Sequence, residues 1–197
     1  RESWSLAPGD KVYVVRGGST IVALEVGSVP PTEGGYRLVG AHTDSPNLRV
    51  KPKGEVVANG VRQIAVEPYG GVLLHTWLDR DLSIAGRVVL RREGVMESAM
   101  VRIDRPIARV ASLAIHLHRN VNDEGLILNK QTHMAPHLAL EGAGAHTIVS
   151  LVAEAAQVRP DAIYGHDLCL YDVAAPTRGG AHGEFIFASR LDNLASC

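Results

Sequence analysis

The sequence predicts a mixed α/β chain in which short strands outnumber helices, and three observations carry that expectation. Two apolar runs, Lys11–Arg16 and residues 20–26, flank Gly17-Gly18, a dipeptide that supplies the positive φ angles of a tight hairpin. Beyond Pro46 the chain breaks into many short runs of strand composition. The first clear helical period comes late, from Thr147 onward.

Taken in order, residues 30–35, Pro-Pro-Thr-Glu-Gly-Gly, read as a loop, because Pro and Gly break regular structure. Residues 36–41 then form a short apolar strand that runs into the turn His42-Thr43-Asp44-Ser45-Pro46. Strands follow over residues 48–51, 63–67, 72–77, 86–91 and 100–103, each short and rich in β-branched or other apolar residues. Ile148, Val149, Leu151, Val152, Ala155 and Ala156 recur at the i, i+3, i+4, i+7 spacing of one helix face, and Pro160 closes that helix. Residues 162–164 and 167–171 return to strand character, and Gly179-Gly180 marks a turn before the apolar run 184–187. The chain has no internal repeat and no low-complexity tract.

Hydrophobic residues at 46%, charged residues at 21% and a formal net charge of -1 describe a globular chain without disordered composition. Near-neutral charge argues against nucleic acid as a partner, since phosphate binding needs clustered Lys and Arg. The basic run Arg49-Val50-Lys51-Pro52-Lys53 is short and reads as a solvated strand. No apolar run approaches the ~18 residues of a membrane span, and no signal-peptide pattern opens the chain, so a cytoplasmic protein is expected. Cys169 and Cys197 have neither metal spacing nor a disulfide framework and read as buried thiols.

His42 and Asp44 carry the first chemical hypothesis. Alternate residues of a strand share a face, so the two side chains can point the same way while Thr43 points away. An imidazole binds zinc through one nitrogen, and a neighbouring carboxylate either fixes the other nitrogen or binds the metal itself. A hydrogen-bonded structural pair has the same spacing, so both readings stand. Asp192, after the run Ala188-Ser189-Arg190-Leu191, is a second candidate ligand.

Nine histidines are present. His116 interrupts the apolar run Leu113-Ala114-Ile115-His116-Leu117, where a core histidine and a functional one are both tenable. His133 and His137 mimic a helical zinc pair, but Pro136 disfavours the helix and no Glu follows His133. His75 reads as a packing or interface residue, and the others as solvated. Asp79, Arg80 and Asp81, charges set in apolar sequence, are expected to form a structural ion-pair network. A glycosidase-like carboxylate pair there lacks a sugar platform, and Gly17-Gly18-Ser19-Thr20 lacks the second glycine of a serine-hydrolase elbow.

Several long motifs in order resemble the aspartyl aminopeptidases: Gly40-Ala41-His42-Thr43-Asp44-Ser45-Pro46, the stretch over residues 69–88, Arg105-Pro106-Ile107, residues 113–117, Asn129-Lys130-Gln131-Thr132-His133, residues 167–172 and Ser189-Arg190-Leu191-Asp192-Asn193. The resemblance runs from end to end of the chain. It implies part of a zinc-peptidase α/β domain interrupted by a β-rich oligomerisation domain. Residues 1–46 would open the peptidase domain, residues 47–181 form the insertion, and residues 182–197 return to the peptidase domain.

The same resemblance implies a metallo-aminopeptidase that removes N-terminal, acidic residues from peptides by zinc-activated water, with two zinc ions per complete site. His42 and Asp192 would be metal ligands, Asp192 bridging the ions, and Asp44 would be catalytic by orienting His42 through its second nitrogen. His116 would contact substrate in a neighbouring subunit or ligate zinc, with substrate contact preferred, and the assembly would be a homo-oligomeric dodecamer. Members of the family are longer, and their C-terminal half carries the general-base glutamate and the remaining ligands. This chain is therefore expected to be an N-terminal portion, inactive alone. A noncatalytic oligomerisation module with a vestigial metal site is the alternative.

Overall fold

The structure, a computed structural model, describes residues 4–42, 44–144 and 146–190. These pack as two compact units that divide between Ser45 and Pro46.

In the first unit, β1 (Lys11–Arg16) and β2 (Thr20–Glu25) form an antiparallel hairpin with Arg16 opposite Thr20. Gly17 and Gly18 take φ of 58° and 73°, the left-handed region where a residue without a Cβ is favoured. A single turn, α1 (Pro31–Gly34), occupies the expected loop, with Pro31 at the first helical position, where its missing N–H costs no bond. The strand expected over residues 36–41 does not form: Tyr36, Leu38 and Val39 are 78, 88 and 96% exposed. A strand is defined by its ladder partner, and no strand of the described residues runs beside this segment.

The second unit is built on a six-stranded antiparallel sheet. Its strands are β3 (Asn47–Ala58), β4 (Val61–Tyr69), β5 (Leu82–Arg92), β6 (Val95–Arg102), β7 (His137–Leu140) and β8 (Ile163–Asp172), ordered β6-β5-β8-β3-β4-β7. Leu82, Ile84, Val88 and Leu90 are buried along β5, as are Leu168 and Leu170 along β8, Leu48 and Val50 along β3, and Ile64 and Val66 along β4. That period of two puts them on one face.

Against this face pack Trp77, Val110, Met134 and the helix α3 (Ile148–Ala155), whose Ile148, Leu151, Val152 and Ala153 are buried. A short α2 (Val121–Glu124) lies in the loops between. Thr147 caps α3 by accepting the Ser150 N–H at 3.1 Å, which satisfies a donor the first turn leaves orphaned. Each of these aliphatic side chains contributes about 1.5–3 kcal/mol of transfer free energy. A separate hairpin pairs β9 (Thr177–Gly179) with β10 (Phe185–Phe187).

Three expectations are corrected here. Residues 72–77 are not a strand: Leu74–Trp77 form a 3-10 turn, with the Thr76 hydroxyl donating to the Leu73 carbonyl at 2.7 Å. A short apolar run does not distinguish strand from turn by periodicity, and here burial of Trp77 decides. The strands expected over 162–164 and 167–171 are one strand, β8, because β5 pairs along both halves of it with a register shift between Val89 and Leu90. α3 ends at Ala155, before Pro160, since Gln157 takes a φ of 55°.

Gly86 lies opposite Leu168, and a Cβ built on it would stand 2.2 Å from the Asp167 carbonyl oxygen and 2.9 Å from the Leu168 Cα. Backbone cannot yield as a side chain can, so Gly86→Ala is expected to destabilise the second unit by about 1–3 kcal/mol. Urea denaturation checks this, and a variant of unchanged stability would show that β5 and β8 do not approach so closely.

Candidate functional site

His42 follows the unpaired segment 36–41, and its ring is held locally. Nδ1 lies 2.8 Å from the Asp44 carbonyl oxygen and 3.2 Å from Asp44 Oδ1. A carbonyl only accepts, so Nδ1 carries a proton and donates. A zinc-ligating imidazole has its second nitrogen oriented by such a hydrogen bond, so His42 fits zinc. Among the described residues, no group of three or more His, Cys, Asp or Glu is placed to hold a metal ion. Asp192 lies outside the described residues.

His116 is in an exposed 3-10 turn, Ile115–Leu117, and not in a strand or in the core. The run that carries it is itself exposed, with Leu113, Ile115 and Leu117 at 65, 47 and 74%. The apolar pattern that suggested a core histidine thus belongs to a surface loop. His133 and His137 are on no common helix: His133 accepts the Asn129 N–H at Nδ1, 3.0 Å away, and His137 opens β7.

The charged run 79–81 holds three different segments. Asp79, at φ 55°, accepts the Ser112 N–H at 3.2 Å and also the Ser112 hydroxyl, while its own N–H donates to the Val110 carbonyl at 2.8 Å. Arg80 meets the buried carboxylate of Asp172 at 3.5 Å, and Asp81 pairs with Arg109. Two of the three are ion pairs, as expected. Asp79 is instead a hydrogen-bonded anchor at the root of the loop that carries His116. The Ser112 hydroxyl, then its N–H, hold the Asp79 carboxyl below its ordinary value.

Sequence reasoning missed a second clamp. The Arg190 guanidinium stands 3.7 Å over the Trp77 ring and reaches the Thr76 carbonyl at 3.3 Å and the Thr76 hydroxyl at 3.4 Å. Burial pushes the Arg190 guanidinium below its ordinary value, with the Arg80 charge acting in the same direction. The clamp lies two residues before Asp192, and no local signal marks it, since Thr76 and Arg190 are 114 positions apart.

Two outcomes follow from these anchors. Because the folded pKa of Asp79 is lowered, its stabilisation is present above about pH 4 and is lost as pH falls through the folded value. Asp79→Asn is therefore expected to flatten the acid limb of the stability profile, and identical acid denaturation curves would contradict the assignment. For Arg190 and Trp77, a double-mutant cycle with Arg190→Met and Trp77→Leu should return a coupling of roughly 0.5–2 kcal/mol. Additive effects would mean the stacking contributes nothing.

Comparisons with known proteins bear on the whole chain. The family described as aminopeptidase I zinc metalloprotease (M18) matches residues 1–197. A probable M18 family aminopeptidase 2 of Pseudomonas entomophila is 45% identical, over all of this chain and 47% of the relative. Among solved structures, the Ape4 and Nbr1 complex shares 36% identity and a TM-score of 0.80, covering 96% of this chain and 40% of that one. The mApe1 dodecamer of S. cerevisiae shares 30% identity with a TM-score of 0.67, covering 91% and 40% respectively. The chain spans about half the length of the curated relatives it matches. End-to-end agreement of this kind establishes that the chain belongs to the M18 family of zinc metallo-aminopeptidases.

Proposed function

We propose that this chain supplies His42 and Asp192 to a two-zinc centre, completed by further residues, that removes acidic N-terminal residues from peptides. The observation that carries the reading is His42, whose Nδ1–H is committed to Asp44 within a chain of the family. When bound, zinc supplies a water of lowered pKa and a polarised scissile carbonyl. Asp44 acts on His42 by holding its ring and raising its basicity. Asp192 would be the second residue to hold the metal, and His116, exposed on its loop, would contact substrate bound by a neighbouring subunit. In this reading residues 47–181 mediate assembly and residues 1–46 with 182–197 are peptidase domain. Homo-oligomerisation to a dodecamer is supported by the S. cerevisiae relative described as one, and a cytoplasmic setting belongs to the same proposal. No helix among the described residues is long and apolar enough to cross a membrane.

A catalytic zinc takes three protein ligands and a water, more than the described residues bring together. The 197-residue chain by itself is therefore expected to bind zinc weakly and to release no amino acid from Asp-initiated or Leu-initiated peptides, with zinc or cobalt supplied and a chelator as control. Chelator-sensitive cleavage would overturn that expectation. In the catalytically complete protein, Asp44→Asn should lower zinc affinity about 10–100-fold, read by competition with a chromophoric chelator. Unchanged affinity there would show that Asp44 does not support a zinc ligand, whereas a full-length protein without zinc binding or peptidase activity would favour the noncatalytic assembly module.

A further inference from the structure

A second site, independent of the zinc reading, lies within the second unit. A cleft of about 510 Å³ opens between β4, β7, the segment 105–109 and the loop before α3. Its charged and imidazole side chains are Arg62, Asp81, Arg105, Arg109, His137 and His146. Three cations thus face one carboxylate, and that carboxylate is committed to Arg109.

Neither of the other two cations enters an ion pair among the described residues. Arg62 donates from a terminal guanidinium nitrogen to the His146 carbonyl at 2.9 Å, yet its Nε is buried and has no hydrogen-bond partner. Arg105 enters no ion pair among the described residues and is exposed. Leaving a buried charged donor unsatisfied costs more than an ordinary lost hydrogen bond, so Arg62 stands beside the cleft with donor capacity that its protein partners do not meet.

The backbone aims these groups together. Arg109 and His137 exchange both hydrogen bonds, N–H to carbonyl at 3.2 and 2.8 Å, which puts their side chains on the same face. Arg62 pairs with Ala139, and a register shift between Arg62 and Gln63 sets Gln63 opposite His137, so it is the shared lining of the cleft that brings Arg62 to His137. The Ile107 and Ala108 N–H groups both donate to the Leu82 carbonyl, at 2.9 and 3.0 Å, and so hold the segment bearing Arg105 and Arg109 against the sheet.

We propose that this cleft is an oxyanion site for a phosphoryl group, with Arg62 and Arg105 as its charge partners and the His137 and His146 rings as further donors. Planar guanidinium forks suit a tetrahedral dianion, to which each can offer paired N–H groups. A phosphoryl group carries enough charge to balance two arginines, whereas a halide offers no second acceptor.

The test uses the protein in its natural assembly, titrated calorimetrically at constant ionic strength with inorganic phosphate, with ADP, with succinate and with chloride. Saturable binding of phosphate or ADP is expected, lost at least tenfold in Arg105→Ala, a surface change, and in Arg62→Met, with folding of both variants checked by circular dichroism. Tighter binding of ADP would identify the phosphoryl source as a nucleotide, and equal binding would identify free phosphate. Absence of saturable phosphoryl binding, equal or tighter response to succinate or chloride, or full retention of affinity in Arg105→Ala would overturn the proposal.

Discussion

The β5–β8 ladder is the constraint on which the second unit depends. Every other residue of β5 from Leu82 to Leu90 is buried except at Gly86, where the backbone of β8 comes too close for a Cβ. Pairing runs from Leu82 opposite Asp172 to Leu90 opposite Ile163, so both strands present their apolar alternates to one side. A one-residue slip would send all of those side chains into water. The ladder also sets what leaves it: the buried Ser83 hydroxyl donates to the Ile103 carbonyl at 2.7 Å, and Ile103 N–H donates to Ile84. These bonds turn the chain after β6 back beside the start of β5.

That return has functional consequences in two directions. It carries residues 105–109 to the rim of the arginine cleft, and it delivers Val110 and Ser112 to Asp79, the root of the loop bearing His116. A hydroxyl–carboxylate anchor with a backbone N–H beside it holds the loop base and leaves His116 exposed. The leucines and isoleucine on that loop are exposed. Arg190 on Trp77 has the corresponding effect late in the second unit, holding the chain two positions before Asp192 in the sequence.

Several elements were legible in residues alone because their signals are local. The Gly17-Gly18 turn needs positive φ, and the helical period from Thr147 onward lies within one short run; that Thr147 caps it is added by the structure. His42 and Asp44 were readable as a pair at a spacing of two, and the structure adds that the Asp44 carbonyl as well as its carboxylate holds the ring. Long motifs carried the family assignment. Misreadings fell where a partner decides the outcome: residues 36–41 have strand composition but no ladder partner among the described strands, and residues 113–117 have core composition but lie in solvent.

What the sequence by itself determined is therefore the family, the β-rich character, the hairpin and the helix after Thr147, since motifs, turn chemistry and periodicity act over a few neighbouring residues. Tertiary structure alone decided that residues 162–171 form one strand, that Trp77 is a buried stacking platform for Arg190, that Asp79 holds Ser112 and that Arg62 and Arg105 meet at one cleft. The physical reason is separation along the chain: Asp79 and Ser112 stand 33 positions apart, and Thr76 and Arg190 stand 114 apart. Contacts at such range follow from sheet order and register, which no local pattern encodes.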